Sequence, residues 1–317
     1  MHAVVLHAYG PATNLTYQRV PDPEPGPGQV RIAVRAAGVH FIETVMRTGK
    51  QTELAPPPPE LPAIFGGEVA GEVESVGPDV DPSWLGARVV VSASQPGGYA
   101  ELVVAEVPAL HRIPDDLGYE AAVAMVVTGT TALQFLDVAQ LTGDDTVLIT
   151  SAAGGIGQLL VQYARGLGAT VIGAAGGPDK VEIVRALGAD LALDYNEPGW
   201  EKAVDGRVVT VVLDGVGGSK GEAAYSLIAD GGRYLTIGTS SQQEYRPAAT
   251  RGITTTNALL NILDRLDEGP AFEVRALAAA AEGKLVPAVH TFPLAEAAAA
   301  HAALESRATT GKVVLVP

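Results

Sequence analysis

Two rhythms of apolar residues divide the chain. Up to about residue 120, short β-type runs such as VRIAVRAAGV, GEVAGEVESVG, ARVVVSAS and AELVVA alternate with clusters of glycine and proline. That spacing predicts a compact all-β or barrel-like unit. From about Leu133 the rhythm becomes strand, glycine turn, helix: TVLITSA then GGIGQLLVQYARGLG, TVIGAA then PDKVEIVRALG, TVVLDGVG then KGEAAYSLIADGG, and finally RYLTIG. Short buried strands alternating with amphipathic helices predict βαβ units and a parallel, Rossmann-like sheet. Residues 271–303 are rich in alanine and predicted helical, and the ending GKVVLVP reads as a strand that returns to the first domain.

Composition narrows the picture. A chain of 317 residues is long for one core and suggests two domains. With 47% hydrophobic and 18% charged residues it is globular rather than disordered. The formal net charge of -15, without any lysine or arginine run, repels polyanions and argues against a nucleic-acid partner. The N-terminal MHAVVLHAYGPATNL holds too short an apolar stretch for a signal segment, and no later run reaches the ~20 apolar residues of a membrane span. A cytoplasmic protein with no membrane partner is the expectation. The absence of cysteine removes disulfides, thiolate nucleophiles and every cysteine zinc site at once. The four prolines at 56–59 cannot feed a sheet ladder and read as a surface loop.

One turn carries clear chemistry. TVLITSA runs into Ala152, Ala153, Gly154, Gly155, Ile156 and Gly157 and then a helix, the context of a dinucleotide fingerprint with alanine in the first glycine position. Gly154 lets backbone approach a pyrophosphate, Gly157 lets the helix pack on the strand, and the helix N-terminus offers N–H groups and positive dipole to the anion. An NAD-binding unit usually ends its second strand in a carboxylate for the ribose 2′-OH. Here that strand ends Gly173, Ala174, Ala175, Gly176, Gly177, with no acid until Asp179. The site therefore admits the 2′-phosphate of NADPH, and Lys180 is placed to meet it as a point charge, although a solvated helix lysine fits the same pattern.

At this point the sequence resembles the zinc-free quinone oxidoreductase branch of the medium-chain dehydrogenase/reductase superfamily, which includes zeta-crystallin. The matching segments are AAGVHFIETVMRTG (36–49), FGGEVAGEVESVG (65–77), GGYAELVV (97–104), VTGTTAL (127–133), SAAGGIG (151–157), ALGADLALDY (186–195) and ESRATTGKVVL (305–315). The resemblance implies an α/β protein with a GroES-like β-barrel catalytic domain from residues 1–122 and 262–317, and a Rossmann NADPH-binding domain from residues 123–261. It places the cofactor in the cleft between them. It also implies that Lys180, Tyr195 and Arg307 surround the adenosine 2′-phosphate. Thr128 would meet the nicotinamide half, and Ile237 and Gly238 would form a turn where the cofactor passes. Without the family, Tyr195 reads as packing and Arg307 as a surface charge.

Zinc-dependent relatives place ligands where this chain has His40, Gly67 and Ala124, and one ligand of three cannot hold catalytic zinc. The cysteine-rich structural-zinc lobe is also missing, since SASQPGG passes directly to YAELVV. Many quinone reductases of this branch have asparagine in place of His40, and some have tyrosine in place of Val45. His40 is a candidate proton donor, or it hydrogen-bonds the nicotinamide ribose or fills space. The remaining histidines, His2, His7, His111, His290 and His301, show no ligand spacing. The implied function is metal-free transfer of hydride from nicotinamide C4 to a quinone. The alternatives are reduction of an activated C=C bond, as in enoyl, alkenal or enone reduction, and NADPH binding without turnover. A homodimer is expected, because the family commonly pairs Rossmann domains edge to edge and RYLTIG otherwise leaves an open sheet edge.

Overall fold

The computed structural model describes all residues except 51–56, 93–96 and 249. The chain divides into two compact units, one formed by Met1–Val127 with Ala288–Pro317 and the other by Thr128–Pro287. Of the prolines at 56–59, the first lies outside the described residues, as does most of the SASQPGG passage. Pro57–Pro59 run as irregular chain, and the Tyr9 hydroxyl donates to the Pro59 carbonyl at 2.6 Å.

The first unit opens with β1 (His2–Leu6) and β2 (Leu15–Arg19), then β3 (Gln29–Val39) and α1 (Phe41–Arg47). There follow β4 (Glu68–Val76), β5 (Arg88–Ser92), β6 (Leu102–Glu106), β7 (Leu110–Arg112) and α2 (Tyr119–Ala124). Strand β3 is the spine. It pairs antiparallel with β4 along most of its length, while its first half also pairs with β6. The β-type runs quoted above become β3 to β6. Their alternating apolar residues Val30, Ile32, Val34, Val69, Val73, Val89 and Val91 fill one core.

The second unit begins with α3 (Thr130–Ala139), joined to α2 by a π-helical turn at Met125–Gly129. It continues with β8 (Thr146–Thr150), α4 (Gly155–Gly166), β9 (Thr170–Ala175), α5 (Pro178–Ala186) and β10 (Leu191–Asp194). It closes with β11 (Val209–Asp214), α6 (Gly218–Ser226), β12 (Ile228–Thr236), β13 (Thr254–Asn257), α7 (Ala258–Leu263) and α8 (Gly269–Ala281). Among the described residues the sheet has six parallel strands in the order β10-β9-β8-β11-β12-β13. Counted within the unit this is 3-2-1-4-5-6, the doubly wound dinucleotide-binding order. Strand order reverses between β8 and β11, so the ends of those two strands mark the switch point where ligands of such sheets bind.

The chain then returns to the first unit with β14 (Val289–Pro293), α9 (Ala297–Glu305) and β15 (Lys312–Val316). The last of these pairs antiparallel with the second half of β3 and parallel with β14.

Four details differ from the sequence reading. Residues 271–303 are not one helix: α8 stops at Ala281, Gly283 takes a left-handed φ of 68°, and β14 intervenes before α9. Helix propensity there is overridden by the glycine and by Pro287 and Pro293. The second unit runs to Pro287 rather than 261, because α7 and α8 pack against α3. Nor is RYLTIG an edge strand, since β13 pairs outside it. Finally, Tyr119–Ala139 forms 21 residues of helix long and apolar enough to cross a membrane, which the residue-run reading passed over. Most of that segment is buried inside the protein, so its apolar surface is used in the cores.

Candidate active site

In the second unit the predicted turn forms as the sequence requires. Ser151, directly after β8, adopts a positive φ of 56°, and Gly154 caps α4. A Cβ on Gly157 would collide with the Ser151 carbonyl and the Ala152 backbone, so glycine there is what lets α4 lie against β8. Among the described residues a Cβ added to Gly154 would meet only Ser151 atoms, at 3.2 and 3.3 Å. The N–H groups of Gly155, Ile156 and Gly157 have no carbonyl one turn back in the helix and point from its positive end. Ala153 is buried, and its carbonyl accepts from the buried Gln158 amide at 2.9 Å, which ties the turn to the helix.

The switch point adds residues that the sequence reading missed. Asp214, fully buried at the end of β11, accepts from the Thr150 and Tyr234 hydroxyls, both at 2.6 Å, and from the backbone N–H groups of Val216 and Gly217. It fixes the turn Gly215–Gly217. A Cβ on Gly215 would lie 3.3 Å from Ser151 Cβ and 3.8 Å from Ile237, and one on Gly238 would lie 3.3 Å from the Gly215 carbonyl. Ile237 and Gly238 are thus brought beside the Ser151–Gly157 turn through Gly215. Thr128 is buried in the π-helical turn between α2 and α3, a local widening that recurs at functional sites.

At the end of β9, Ala175 is buried and no carboxylate projects from the strand. A Cβ on Gly176 would come within 3.0 Å of the Tyr195 ring and 3.1 Å of the Asn196 amide. Gly176 and Tyr195 therefore touch, and Lys180 sits two residues into α5, in its first turn.

His40 and Arg307 belong to the first unit. Arg307, exposed and at a left-handed φ of 59°, stacks its guanidinium over Phe41 at 4.2 Å from the ring centre. His40 sits just before α1, and its backbone N–H donates to Glu43 Oε2 at 2.8 Å. The same oxygen accepts from the Tyr99 hydroxyl at 2.7 Å, while Oε1 accepts from Gly66 N–H at 2.9 Å. One buried carboxylate thus binds the His40 turn to the strand entry at Gly66. Because Tyr99 donates to Glu43, the ring nitrogen Nε2 of His301, 3.1 Å away, must be the donor to Tyr99. That tautomer leaves buried Nδ1 of His301 without a partner among the described residues. Burial, aided by the Arg47 charge, pulls this imidazole down to about 3, so it stays neutral.

The His40 side chain meets a second buried carboxylate. Its Nε2 lies 3.0 Å from Glu68 Oε1, and Lys312 Nζ pairs with the same oxygen while lying 3.4 Å from both ring nitrogens. These are pairs by distance without hydrogen-bond alignment at Glu68, whose oxygens have no aligned donor among the described residues. Burial works to raise the Glu68 carboxyl, but the His40 and Lys312 charges outweigh it and hold the group at about 2. A Cβ on Gly38 would collide with Glu68, so the glycine in AAGVH makes room for this carboxylate.

The residues do not fit catalytic zinc. His40 already faces Glu68 and Lys312, Gly67 has no side chain, and Ala124 is a buried methyl group. Among the described residues no group of three histidine, aspartate or glutamate side chains is arranged for a metal ion.

Known proteins add the family. The alcohol dehydrogenase GroES-like domain matches residues 26–115, and the zinc-binding dehydrogenase family matches residues 187–315. A quinone oxidoreductase of Pseudomonas aeruginosa is 34% identical over 98% of both chains. A 2-haloacrylate reductase of a Burkholderia species is 33% identical over 99% of this chain and 98% of its own. The crystal structure of Escherichia coli quinone oxidoreductase complexed with NADPH superposes with a TM-score of 0.87 and 27% identity over the whole of both chains. With the parallel sheet, the GroES-like unit and these relatives together, the chain belongs to the zinc-free quinone oxidoreductase branch of the medium-chain dehydrogenase/reductase superfamily.

Proposed function

We propose that the protein is an NADPH-dependent quinone reductase that works without a metal ion. The observation that carries this reading is the end of β9, where no strand carboxylate is present to bind a ribose 2′-OH or repel a 2′-phosphate, and where Gly176 meets Tyr195. The NADPH complex of the Escherichia coli relative supports it. Ala153, Gly154, Gly155, Ile156 and Gly157 would hold the pyrophosphate through backbone N–H groups and the dipole of α4. Gly176, Lys180 and Tyr195 would hold the adenosine end, and Thr128, Ile237 and Gly238 the nicotinamide half. When bound, NADPH supplies a hydride from nicotinamide C4.

A quinone ring is electron-poor, accepts hydride readily and takes its protons from water. The protein's task is then to hold donor and acceptor at roughly 3–3.5 Å and to exclude bulk water. On this reading Glu68 and Lys312 keep the His40 ring in place, and His40 shapes the acceptor site. His40→Ala is accordingly expected to lower kcat on a quinone by less than about tenfold. A loss near the ~10²–10⁴-fold typical of a general acid would assign His40 that role instead.

The substrate class is tested by kinetics over quinones such as 1,4-naphthoquinone against 2-alkenals, enones and enoyl thioesters. The highest kcat/KM is expected with quinones. Higher values with the C=C substrates would move the assignment to alkene reduction, the class to which the Burkholderia relative's name points. Tight NADPH binding without turnover across the panel would mark a non-catalytic binding protein.

We also propose a homodimer joined at the open sheet edge. That edge is β13, and Leu260, Leu263 and Leu266 just beyond it are 47%, 50% and 66% exposed. Light scattering at micromolar concentration is expected to return the mass of two chains; a single-chain mass would contradict the assignment.

A further inference from the structure

Lys220 lies in the first turn of α6, where a cation opposes the helix dipole. Its ammonium stands 4.0 Å from the centre of the Tyr195 ring and donates to Asn196 Oδ1 at 2.5 Å. Tyr195 and Asn196 are the two side chains against Gly176. Among the described residues no carboxylate lies within ion-pair distance of Lys220. The nearest acid that acts on it, Asp194, is committed to backbone, with Oδ1 accepting from Gly177 at 3.0 Å and Asn196 at 2.8 Å. Burial pulls the ammonium below its usual range and Asp194 only opposes this. The result is a partly desolvated cation on an aromatic face, held against the dipole of its own helix and lacking a direct counter-charge. Such a cation is stabilised by an anion that arrives from outside.

We propose that Lys220 is a second lysine of the adenosine 2′-phosphate site and a determinant of cofactor choice. This rests on the reading of the β9 end as the NADPH site and adds α6 to it. Lys180 enters from the helix after β9, whereas Lys220 enters from the helix after β11, with Tyr195 and Asn196 between their strands. The two cations would meet the phosphate from different elements. No motif in the strand–turn–helix pattern announces Lys220, because only the fold brings residue 220 to residues 195 and 196.

The test is calorimetric binding of adenosine 2′,5′-bisphosphate, 5′-AMP, NADPH and NADH to the wild type, Lys220→Met and Lys220→Gln. The wild type should bind the bisphosphate more tightly than 5′-AMP. Both variants should weaken the bisphosphate and NADPH about tenfold while leaving 5′-AMP and NADH within about twofold. If the wild type prefers the bisphosphate and both variants keep that preference, Lys220 does not touch the phosphate and the proposal is wrong. The proposal is equally overturned if the variants weaken all four ligands alike, since Lys220 would then only support the fold of α6. If the wild type binds bisphosphate no better than 5′-AMP, the NADPH-site reading itself fails, a result distinguishable from the other two.

Discussion

Lys180→Ala is expected to weaken NADPH about tenfold or more and to leave NADH nearly unchanged. The two cofactors differ only in the 2′-phosphate, so a residue that meets that group must show its effect in one and not the other. A charge-assisted hydrogen bond to phosphate is worth roughly 1.5–3 kcal/mol when it is not fully solvated, which sets the size of the effect. The position is favourable, since Lys180 follows Gly177, whose left-handed φ of 95° turns the chain from β9 into α5. Affinity and kcat/KM for both cofactors decide the matter. Equal weakening of NADPH and NADH by Lys180→Ala would show that this lysine supports the helix instead of the phosphate.

The second large effect is on stability. Glu68→Gln is expected to destabilise the first unit by about 3–5 kcal/mol, because it strips the counter-charge from Lys312, which is only 6% exposed, in a site where the carboxylate is 0% exposed. The effect should be reversed in large part by Glu68→Leu with Lys312→Met, which removes both charges and keeps apolar volume. The pH dependence follows from the direction of the shift. Glu68 titrates at about 2 in the fold against an ordinary 4.5, so its stabilisation is fully present above about pH 4.5 and is lost as the pH falls toward 2. Glu68→Gln should lose that part of the acid dependence. Denaturant unfolding at pH 7 and below measures both effects, and a loss under about 1 kcal/mol at pH 7 would mean that Glu68 is not the counter-charge.

These two expectations differ in how far the sequence foretold them. The strand, turn and helix proposed to hold the phosphates were legible as local structure because every residue that makes them is local: Ser151 to Gly157 in one segment, Gly173 to Lys180 in the next. The charge cluster was not. Glu68 stands in a quoted segment yet gains its meaning only from His40 on one side and Lys312, at the far end of the chain, on the other. Glu43, Tyr99 and His301 likewise meet across loops, and His301 gave no ligand spacing because its partner is a tyrosine. The one available signal was Gly38, whose missing side chain makes room for Glu68. Strand β13 escaped because TTTN carries no apolar alternation, and pairing with β12 supplies what periodicity lacks. The alanine-rich end misled for the opposite reason, since helix propensity is strong on both sides of β14 and silent about Gly283 between them.

The most direct measurement is the rate of NADPH oxidation by 1,4-naphthoquinone, using protein dialysed against a chelator, with zinc determined on the same sample. Saturable oxidation at an undiminished rate, with far less than about one zinc per chain, is the expected result. About one zinc per chain with activity lost on chelation, or no NADPH oxidation with any quinone, would contradict it.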